Sequence, residues 1–197
     1  MFTGIVQDLG SIKLIESGLY QVNTNLDLSE CKEGSSISCN GVCLTAKNIK
    51  KNQNQISTFE VNIGEETLMR TNLGKNILAN KVINIEKSLK IGDEIGGHFV
   101  YGHVDTTAVI RSIEKVNGSY KIIFKINKAF LKYFASKGSV SVDGVSLTVN
   151  DVDKDSFTVN IVPYTWLHTS FKNYKTGSIV NIEIDILVRY LESLNTN

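Results

Sequence analysis

The most constraining feature of the sequence is an internal repeat whose period is close to half the chain. The strand-like segment Phe-Glu-Val-Asn-Ile recurs, 98 positions later, as Phe-Thr-Val-Asn-Ile. The matching pairs are residues 59–63 with 157–161, 36–45 with 139–148, and 84–86 with 181–183. This period exceeds the roughly 20–50 residues of a solenoid repeat, so we expect each copy to be a domain.

Short alternating segments predict that each copy is built of β-strands. In the second copy, Phe157, Val159 and Ile161 alternate with polar residues, which is typical of a half-buried strand. Segments 82–85 and 120–126 are also rich in β-branched and aromatic residues. A closed barrel or a sandwich would accommodate such strands, and we favour the barrel because closure removes exposed strand edges.

Two segments show helical rather than strand periodicity. Residues 128–134 have an amphipathic pattern that ends before Gly138. Residues 185–194 carry an apolar stripe with helical spacing: Ile186, Leu187, Tyr190, Leu191 and Leu194. The stripe could pack against other subunits or lie back on its own barrel, and the pattern alone does not choose between them.

Composition and charge exclude several classes of protein. The chain has 21 basic and 20 acidic residues, and neither half is strongly basic, so we expect no basic half that would hold a nucleic-acid backbone. No apolar run approaches the roughly 20 residues of a membrane helix, and the first cationic residue comes too late for a signal peptide. We therefore expect a cytoplasmic protein. The odd cysteine count, Cys31, Cys39 and Cys43, argues against a disulfide framework, and the spacing is poor for a metal site.

Equivalent strands of the two copies carry small polar side chains that could do chemistry. Cys43 and Thr45 share one strand face, as do Ser146 and Thr148. Cys43 by itself could equally be a small buried hydrophobe. The correspondence predicts two similar pockets, as a protein that handles two molecules of one ligand would need.

The histidines and nearby charges are harder to interpret. His103 aligns with Ile5, so we expect only the second pocket to hold a group that titrates near neutral pH. His98 could be catalytic or structural. His168 is expected at the surface, and the pattern alone favours ordinary surface charges for Lys137, Asp143 and Asp185.

Several motifs, in order along the whole chain, resemble those of the riboflavin synthases of the α-chain type. They are residues 1–6 (Met-Phe-Thr-Gly-Ile-Val), 40–45 (Asn-Gly-Val-Cys-Leu-Thr), 66–74 (Glu-Thr-Leu-Met-Arg-Thr-Asn-Leu-Gly), 96–104 (Gly-Gly-His-Phe-Val-Tyr-Gly-His-Val), 143–148 (Asp-Gly-Val-Ser-Leu-Thr) and 180–185 (Val-Asn-Ile-Glu-Ile-Asp).

The resemblance implies an all-β fold of two tandem six-stranded antiparallel Greek-key barrels with a C-terminal α-helix. The expected domains are residues 1–97, 98–185 and a trimerisation helix at 186–197. The implied reaction is the last step of riboflavin biosynthesis, a four-carbon transfer between two molecules of 6,7-dimethyl-8-ribityllumazine that needs neither metal nor organic cofactor. The resemblance also implies a homotrimer, with active sites between the N-terminal barrel of one subunit and the C-terminal barrel of the next, and a possible association with lumazine synthase.

The site residues follow from the same resemblance. It implies that the pocket of the first barrel is lined by Gly4, Ile5, Val6, Cys43, Leu44, Thr45, Asn62, Ile63, Gly64, Glu65, Glu66 and Thr67. It implies that the pocket of the second barrel is lined by Gly102, His103, Val104, Lys137, Ser146, Leu147, Thr148, Ile161, Val162, Pro163, Tyr164 and Thr165. Phe2 is expected to cover the ligand ring. His103, Ser146 and Thr148 are candidates for proton transfer, and Cys43 is the candidate nucleophile or partner group in the other barrel.

Two other functions compete with this one. Non-catalytic lumazine- or flavin-binding proteins share the barrels, but the retained Cys43, His103, Ser146 and Thr148 argue against that class. A barrel module of the flavoprotein-reductase kind would normally be followed by a nucleotide-binding domain, which the sequence does not show.

Overall fold

The computed structural model describes residues 1–51, 56–74 and 81–195, without the side chain of residue 195. The first repeat forms strands β1 Asp8–Glu16, β2 Leu19–Thr24, β3 Ser36–Cys39, β4 Val42–Thr45, β5 Lys47–Lys51, β6 Ser57–Asn62 and β7 Lys81–Lys87. The second forms β8 Thr106–Val116, β9 Ser119–Lys125, β10 Ser139–Val142, β11 Val145–Val152, β12 Ser156–Ile161 and β13 Ile179–Ile184. The α-helices are α1 Glu65–Arg70, α2 Pro163–His168 and α3 Ile186–Asn195, and 3-10 helices span Asn72–Gly74, Lys128–Tyr133 and Ser170–Asn173.

The second repeat is a closed antiparallel barrel. Its strands follow the order β10-β11-β12-β9-β8-β13, and β13 pairs again with β10. Alternate residues of each strand point into the barrel, so aromatic and β-branched side chains such as Phe124, Phe157 and Val159 are almost completely buried. Burial of this apolar surface stabilises the barrel by roughly 25 cal/mol per Å² removed from water.

The first repeat has the same arrangement with one strand interrupted. Its strand order is β4-β3-β7-β1-β2-β6-β5, so β4 and β5 lie at the two ends of the sheet. These strands are consecutive in the chain and are separated only by Ala46, which is fully buried. The second repeat has a single strand here, β11, with a bulge between Val149 and Asp151. The first sheet is therefore barrel-like, because the chain itself joins its two ends.

The predicted all-β fold with two barrel-like repeats and a C-terminal helix is confirmed. Strands were correctly expected at residues 82–85 and 120–126. Residues 128–133 form a 3-10 helix instead of an α-helix, and α1 and α2 were not predicted. The C-terminal helix begins at Ile186 as expected, while residues 196–197 lie outside the described part of the chain. The predicted domain limits stay a prediction.

The opening residues of each repeat cross to the opposite barrel. The segments pair with each other where Phe2 and Val100 form an antiparallel bridge with N–O distances of 2.7 and 3.0 Å. Beyond this bridge, Val6 packs on the core of the second barrel and Val104 on the core of the first. We call residues 1–7 and 99–105 the lead segments. Their crossing ties the two barrels together.

A buried network of amide side chains closes the junction between the barrels. Asn84 and Asn181 occupy equivalent positions, and each donates from Nδ2, over 2.8 Å, to a backbone carbonyl of the other barrel, that of Asp143 and of Asn40 respectively. The Asn84 Oδ1 accepts from the Ser170 N–H at 2.7 Å. Each such bond contributes about 1 kcal/mol, but an unpaired buried amide would cost more, so the network specifies how the barrels dock.

Asp143 lies at the centre of this junction, so the expectation of a surface charge is wrong. Its side chain is completely buried. The carboxylate accepts hydrogen bonds from the backbone N–H of Asn181 at 2.8 Å, from Asn72 Nδ2 at 2.8 Å and from the Tyr174 hydroxyl at 2.5 Å. Burial raises the pKa of Asp143 to about 6, against the opposing effect of these bonds and of the nearby Lys81 ammonium.

This shift makes stability depend on pH in a defined direction. Since the pKa of Asp143 is about 6 in the folded chain and ordinarily 3.8, the folded state binds the proton more tightly. The contribution of Asp143 to the free energy of unfolding therefore falls as pH rises from about 4 to 6, by at most about 3 kcal/mol. We expect Asp143→Asn to remove this decrease, measured by urea unfolding at several pH values. The exposed Asp151→Asn is the matched control, and an unchanged pH dependence in Asp143→Asn would contradict the assignment.

Candidate active site

Cys43 and Ser146 occupy equivalent positions on hairpins of the two barrels. Cys43 lies opposite Ser38 in the β3–β4 hairpin, and Ser146 lies opposite Ser141 in the β10–β11 hairpin. Both side chains are half-buried, and their immediate neighbours in sequence are buried. Two residues further on, the threonine of each strand is exposed. The expected pairing of a small polar group with a threonine on one face is therefore present in both barrels.

Each hairpin is covered by the lead segment of the other repeat. The Cys43 N–H donates to the Gly102 carbonyl at 2.9 Å, and the Ser146 N–H donates to the Gly4 carbonyl at 2.8 Å. The predicted grouping, with Gly4 beside Cys43 and Gly102 beside Ser146, is thus wrong. The lead segments cross between the barrels, a long-range contact that strand alternation does not encode.

Two composite candidate sites result. The Cys43 site combines residues 43–45 with residues 102–104. The sequence resemblance assigns residues 62–67, which begin at the end of β6, to the same pocket. The Ser146 site combines residues 146–148 with residues 4–6, and residues 161–165 were assigned to it. The backbone hydrogen bonds from Cys43 and Ser146 establish the contact of each hairpin with the lead segment that covers it. The contributions of residues 62–67 and 161–165 stay predictions.

The Ser146 site contains a hydroxyl–imidazole pair. His98 Nδ1 lies 2.7 Å from Ser146 Oγ. The backbone N–H of His98 donates to the Thr3 carbonyl at 3.1 Å. Burial lowers the pKa of His98 below its ordinary value, although the Asp185 carboxylate pulls it upwards. This shift favours the neutral imidazole, whose Nδ1 can accept the hydroxyl proton of Ser146 in the tautomer that carries its ring proton on Nε2. His98 was left undecided by the sequence and was absent from the predicted site.

The Cys43 site contains the other histidine of this region. His103 follows Gly102 on the lead segment that covers Cys43, and its side chain is exposed. Its ring centroid lies 6.2 Å from that of Tyr101. The expectation that His103 belongs to the second pocket is therefore wrong, and Ile5 takes the corresponding place in the Ser146 site. Each site has one histidine, but the two histidines come from different parts of the chain.

A short helix follows the last strand that was assigned to each pocket. α1 begins after Gly64 and α2 after Val162, and neither start has a side-chain cap. The first N–H groups of a helix lack acceptors within the helix. Those of α1, and those of α2 that follow Pro163, which itself has no N–H, can therefore donate to carbonyl oxygens of a bound ligand.

Other predicted residues have less direct places. Phe2 is fully buried at the bridge between the lead segments, so its ring has no free face to cover a ligand. Lys137 is exposed, and its backbone N–H donates to the Val149 carbonyl at 2.8 Å. His168 is exposed, as expected. Asp185 is half-buried, and its carboxylate accepts the Leu187 N–H at 3.0 Å, which caps α3.

The described residues contain no group of three or more His, Cys, Asp or Glu side chains that could hold a metal ion. In the same part of the chain, no helix is long and apolar enough to cross a membrane.

Comparison with known proteins agrees with this duplicated architecture. The lumazine binding domain family model matches twice, at residues 3–88 and 101–185. A riboflavin synthase of Actinobacillus pleuropneumoniae is 38% identical over 98% of this chain and 88% of its own length. The chain belongs to the riboflavin synthase family. A second family member, from Brucella abortus, is 37% identical and is covered over 98% of both chains. The riboflavin synthase of Bacillus subtilis is 36% identical over 97% of this chain and 88% of its own length.

Solved structures support the fold assignment. A crystal structure of LumP complexed with riboflavin superposes with a TM-score of 0.78 at 22% identity, covering 93% of this chain and 99% of LumP. LumP complexed with 6,7-dimethyl-8-(1'-D-ribityl) lumazine gives a TM-score of 0.75. At this level of identity the likeness establishes the shared fold.

The crossing of the lead segment requires glycine at position 102 for two reasons. Gly102 has a φ of +75°, and an added Cβ would lie 2.6 Å from the Cys43 backbone nitrogen. Gly118 has a φ of +82° but no atom within 4 Å of such a Cβ. We expect Gly118→Ala to cost about 1–2 kcal/mol from backbone strain alone. Gly102→Ala should lower the free energy of unfolding by about 1–3 kcal/mol more, because the added methyl group overlaps the Cys43 backbone.

Urea unfolding of both glycine variants measures this difference. Equal losses of stability would show that the lead segment can move away from Cys43 without cost.

Proposed function

We propose that this chain is a riboflavin synthase that transfers a four-carbon unit between two molecules of 6,7-dimethyl-8-ribityllumazine. The products are riboflavin and 5-amino-6-ribitylaminouracil. The chain is accordingly an enzyme of the transferase class, as its relatives over nearly the whole length indicate. The observation that carries the proposal is the pair of related but non-identical sites. A reaction between two copies of one substrate needs two similar pockets, and the donor and acceptor roles require the pockets to differ.

The chemistry assigns separate tasks to the two sites. The reaction removes a proton from the 7-methyl group of one lumazine and adds a nucleophile at carbon 7 of the other, followed by proton transfers as the joined intermediate breaks. In the Ser146 site, neutral His98 can take the Ser146 proton while the hydroxyl oxygen attacks or orients water. Thr148 is exposed on the same strand face and is a second proton carrier.

In the Cys43 site, the thiol is the candidate nucleophile and His103 the candidate proton carrier. The thiol is half-buried, unlike that of Cys39, whose burial keeps its pKa far above the ordinary value. The exposed imidazole of His103 can reach a ligand that lies over the strand.

The proposed active unit combines the Cys43 site of one subunit with the Ser146 site of the next in a homotrimer. The support for oligomerisation is the apolar stripe of α3. Leu187, Tyr190, Leu191 and Leu194 are 58–72% exposed, and together they form one helix face. An exposed face of this kind is typical of an interaction surface. A cytoplasmic location and an association with lumazine synthase complete the proposal.

Incubating the purified chain with the lumazine and recording riboflavin absorbance tests the function. We expect riboflavin to form without added metal or cofactor. Calorimetric titration with a non-reactive analogue should give two sites per chain with unequal affinities. Binding without turnover would instead favour a non-catalytic lumazine-binding protein.

Mixing inactive variants tests whether the active unit is built between subunits. Cys43→Ala and Ser146→Ala should each lower turnover strongly, because each removes a polar group from one site. After subunit exchange, random pairing restores about a quarter of the interfaces, since these combine two intact sites from different chains. Riboflavin formation measures the recovery. Failure to recover, with exchange verified by mass spectrometry, would place the active unit within one chain.

The crossing of the lead segments supplies the control for this mixture. Since Cys43 and His103 lie in the same site, mixing Cys43→Ala with His103→Ala leaves every Cys43 site defective. We expect that mixture to stay inactive.

Truncation after Asp185 tests the role of α3. Removing residues 186–197 deletes the apolar stripe while leaving every described strand intact. We expect a smaller hydrodynamic size in analytical ultracentrifugation. An oligomer of unchanged size would show that α3 lies on its own chain.

A further inference from the structure

Two buried carboxylates occupy equivalent positions near the ends of the last strand of each barrel. Glu86 on β7 is 4% exposed and Glu183 on β13 is 5% exposed. In the described part of the chain, neither takes part in an ion pair. Burying a carboxylate without a cation is costly, so the hydrogen bonds that compensate for it indicate what these residues do.

Both carboxylates accept hydrogen bonds from consecutive backbone N–H groups of a lead segment. Glu86 accepts from the backbone N–H of Thr3 at 2.7 Å and of Gly4 at 3.1 Å. The N–H of the next residue, Ile5, also acts to lower the pKa of the carboxylate.

The second repeat reproduces this arrangement. Glu183 accepts from the backbone N–H of Tyr101 at 2.6 Å and of Gly102 at 2.8 Å. The N–H of the next residue, His103, also acts to lower the pKa of the carboxylate. Each carboxylate therefore fixes the backbone of the residues that enter a candidate site.

The middle glycine of each segment connects the two barrels directly. The Gly102 N–H donates to Glu183 of its own barrel, and its carbonyl accepts from the Cys43 N–H of the other barrel. Gly4 makes the same connection between Glu86 and Ser146. The position of the residue that follows each glycine is thus set by a carboxylate on one side and by a hairpin on the other.

We propose that Glu86 and Glu183 are positioning residues of the reaction: Glu183 holds His103 at the Cys43 site, and Glu86 holds the segment that His98 and Ser146 contact. This inference rests on the proposed function for its catalytic meaning. The geometry also predicts that each carboxylate acts on one site and leaves the other unaffected.

The electrostatic surroundings of Glu183 are consistent with a carboxylate that binds backbone N–H groups. Burial raises the pKa of Glu183 to about 7, with a further contribution from Asp105, which itself pairs with Arg189. Burial likewise raises the pKa of Glu86. Both shifts are opposed by the hydrogen bonds from the lead segments, so those bonds preferentially stabilise the ionised form.

The three histidines of the chain allow a test of this site selectivity. Glutamine preserves the size of the side chain but replaces one acceptor oxygen by a donor, which repels a backbone N–H. We expect Glu183→Gln to shift the NMR ring resonances of His103 and leave those of His98 in place. Glu86→Gln should do the opposite, and His168 is the internal reference. Each resonance is assigned from the corresponding single histidine variant.

Turnover provides the second readout. We expect each glutamine variant to form riboflavin at least about tenfold more slowly than the unaltered chain. Glu114 is an exposed carboxylate on β8, and the control variant Glu114→Gln should stay within about twofold of the unaltered chain. If a glutamine variant does not fold, the aspartate variant at the same position keeps the charge but is too short to reach all of the N–H groups. It should give the same selective shift.

The outcomes separate this inference from the proposed function. Folded variants that retain full turnover, or that shift both histidines equally, would overturn the positioning role. An unaltered chain that forms no riboflavin would overturn the proposed function, and the histidine shifts would then still decide whether each carboxylate holds one lead segment.

Discussion

The structure depends on how two barrels from one duplicated sequence are held face to face. Exchanged lead segments and a buried amide network provide this contact, and both are nearly symmetric between the repeats. Gly41 and Gly144 pack so closely that an added Cβ on Gly41 would lie 2.6 Å from the Gly144 nitrogen. Beside them, Asn84 and Asn181 cross-link the barrels. Because these groups are buried, a shift of one barrel would leave several polar atoms unpaired at once.

The same contact that joins the barrels also builds the candidate sites. A lead segment that stayed on its own barrel would leave Cys43 or Ser146 on an uncovered strand. By crossing, it brings a backbone carbonyl into a hydrogen bond with the hairpin, and the next residue of the chain follows directly. Docking and site formation are therefore one event, and a change that loosens the junction also disturbs the chemistry. This coupling explains why a chain with two independent-looking cores is expected to behave as one functional unit.

The sequence predicted local structure well and long-range structure only in part. Period-2 alternation located strands because each barrel strand has one buried face. The Asn-Gly and Asp-Gly pairs at residues 40–41 and 143–144 are also typical signals of tight hairpins. The burial of Asp143 could not be predicted, since a lone charge is ordinarily solvated. The crossing of the lead segments joins Cys43 to Gly102, about 60 positions apart, and Gly4 to Ser146, about 140 positions apart, and composition and periodicity do not encode such contacts. The repeated Asn-Ile-Glu was the available signal for Glu86 and Glu183.

The two sites differ partly because of the way the repeats are connected. Lead-segment divergence accounts for His103 in one site and Ile5 in the other. His98 has a different origin, because it lies in the connection between the repeats, outside the segments 3–88 and 101–185 that match the family model. A connection between two repeats occurs once in a chain, so its side chains can serve only one site. His98 consequently contacts Ser146, and the near-symmetric fold has two chemically distinct candidate sites, as the proposed reaction between donor and acceptor copies of one substrate requires.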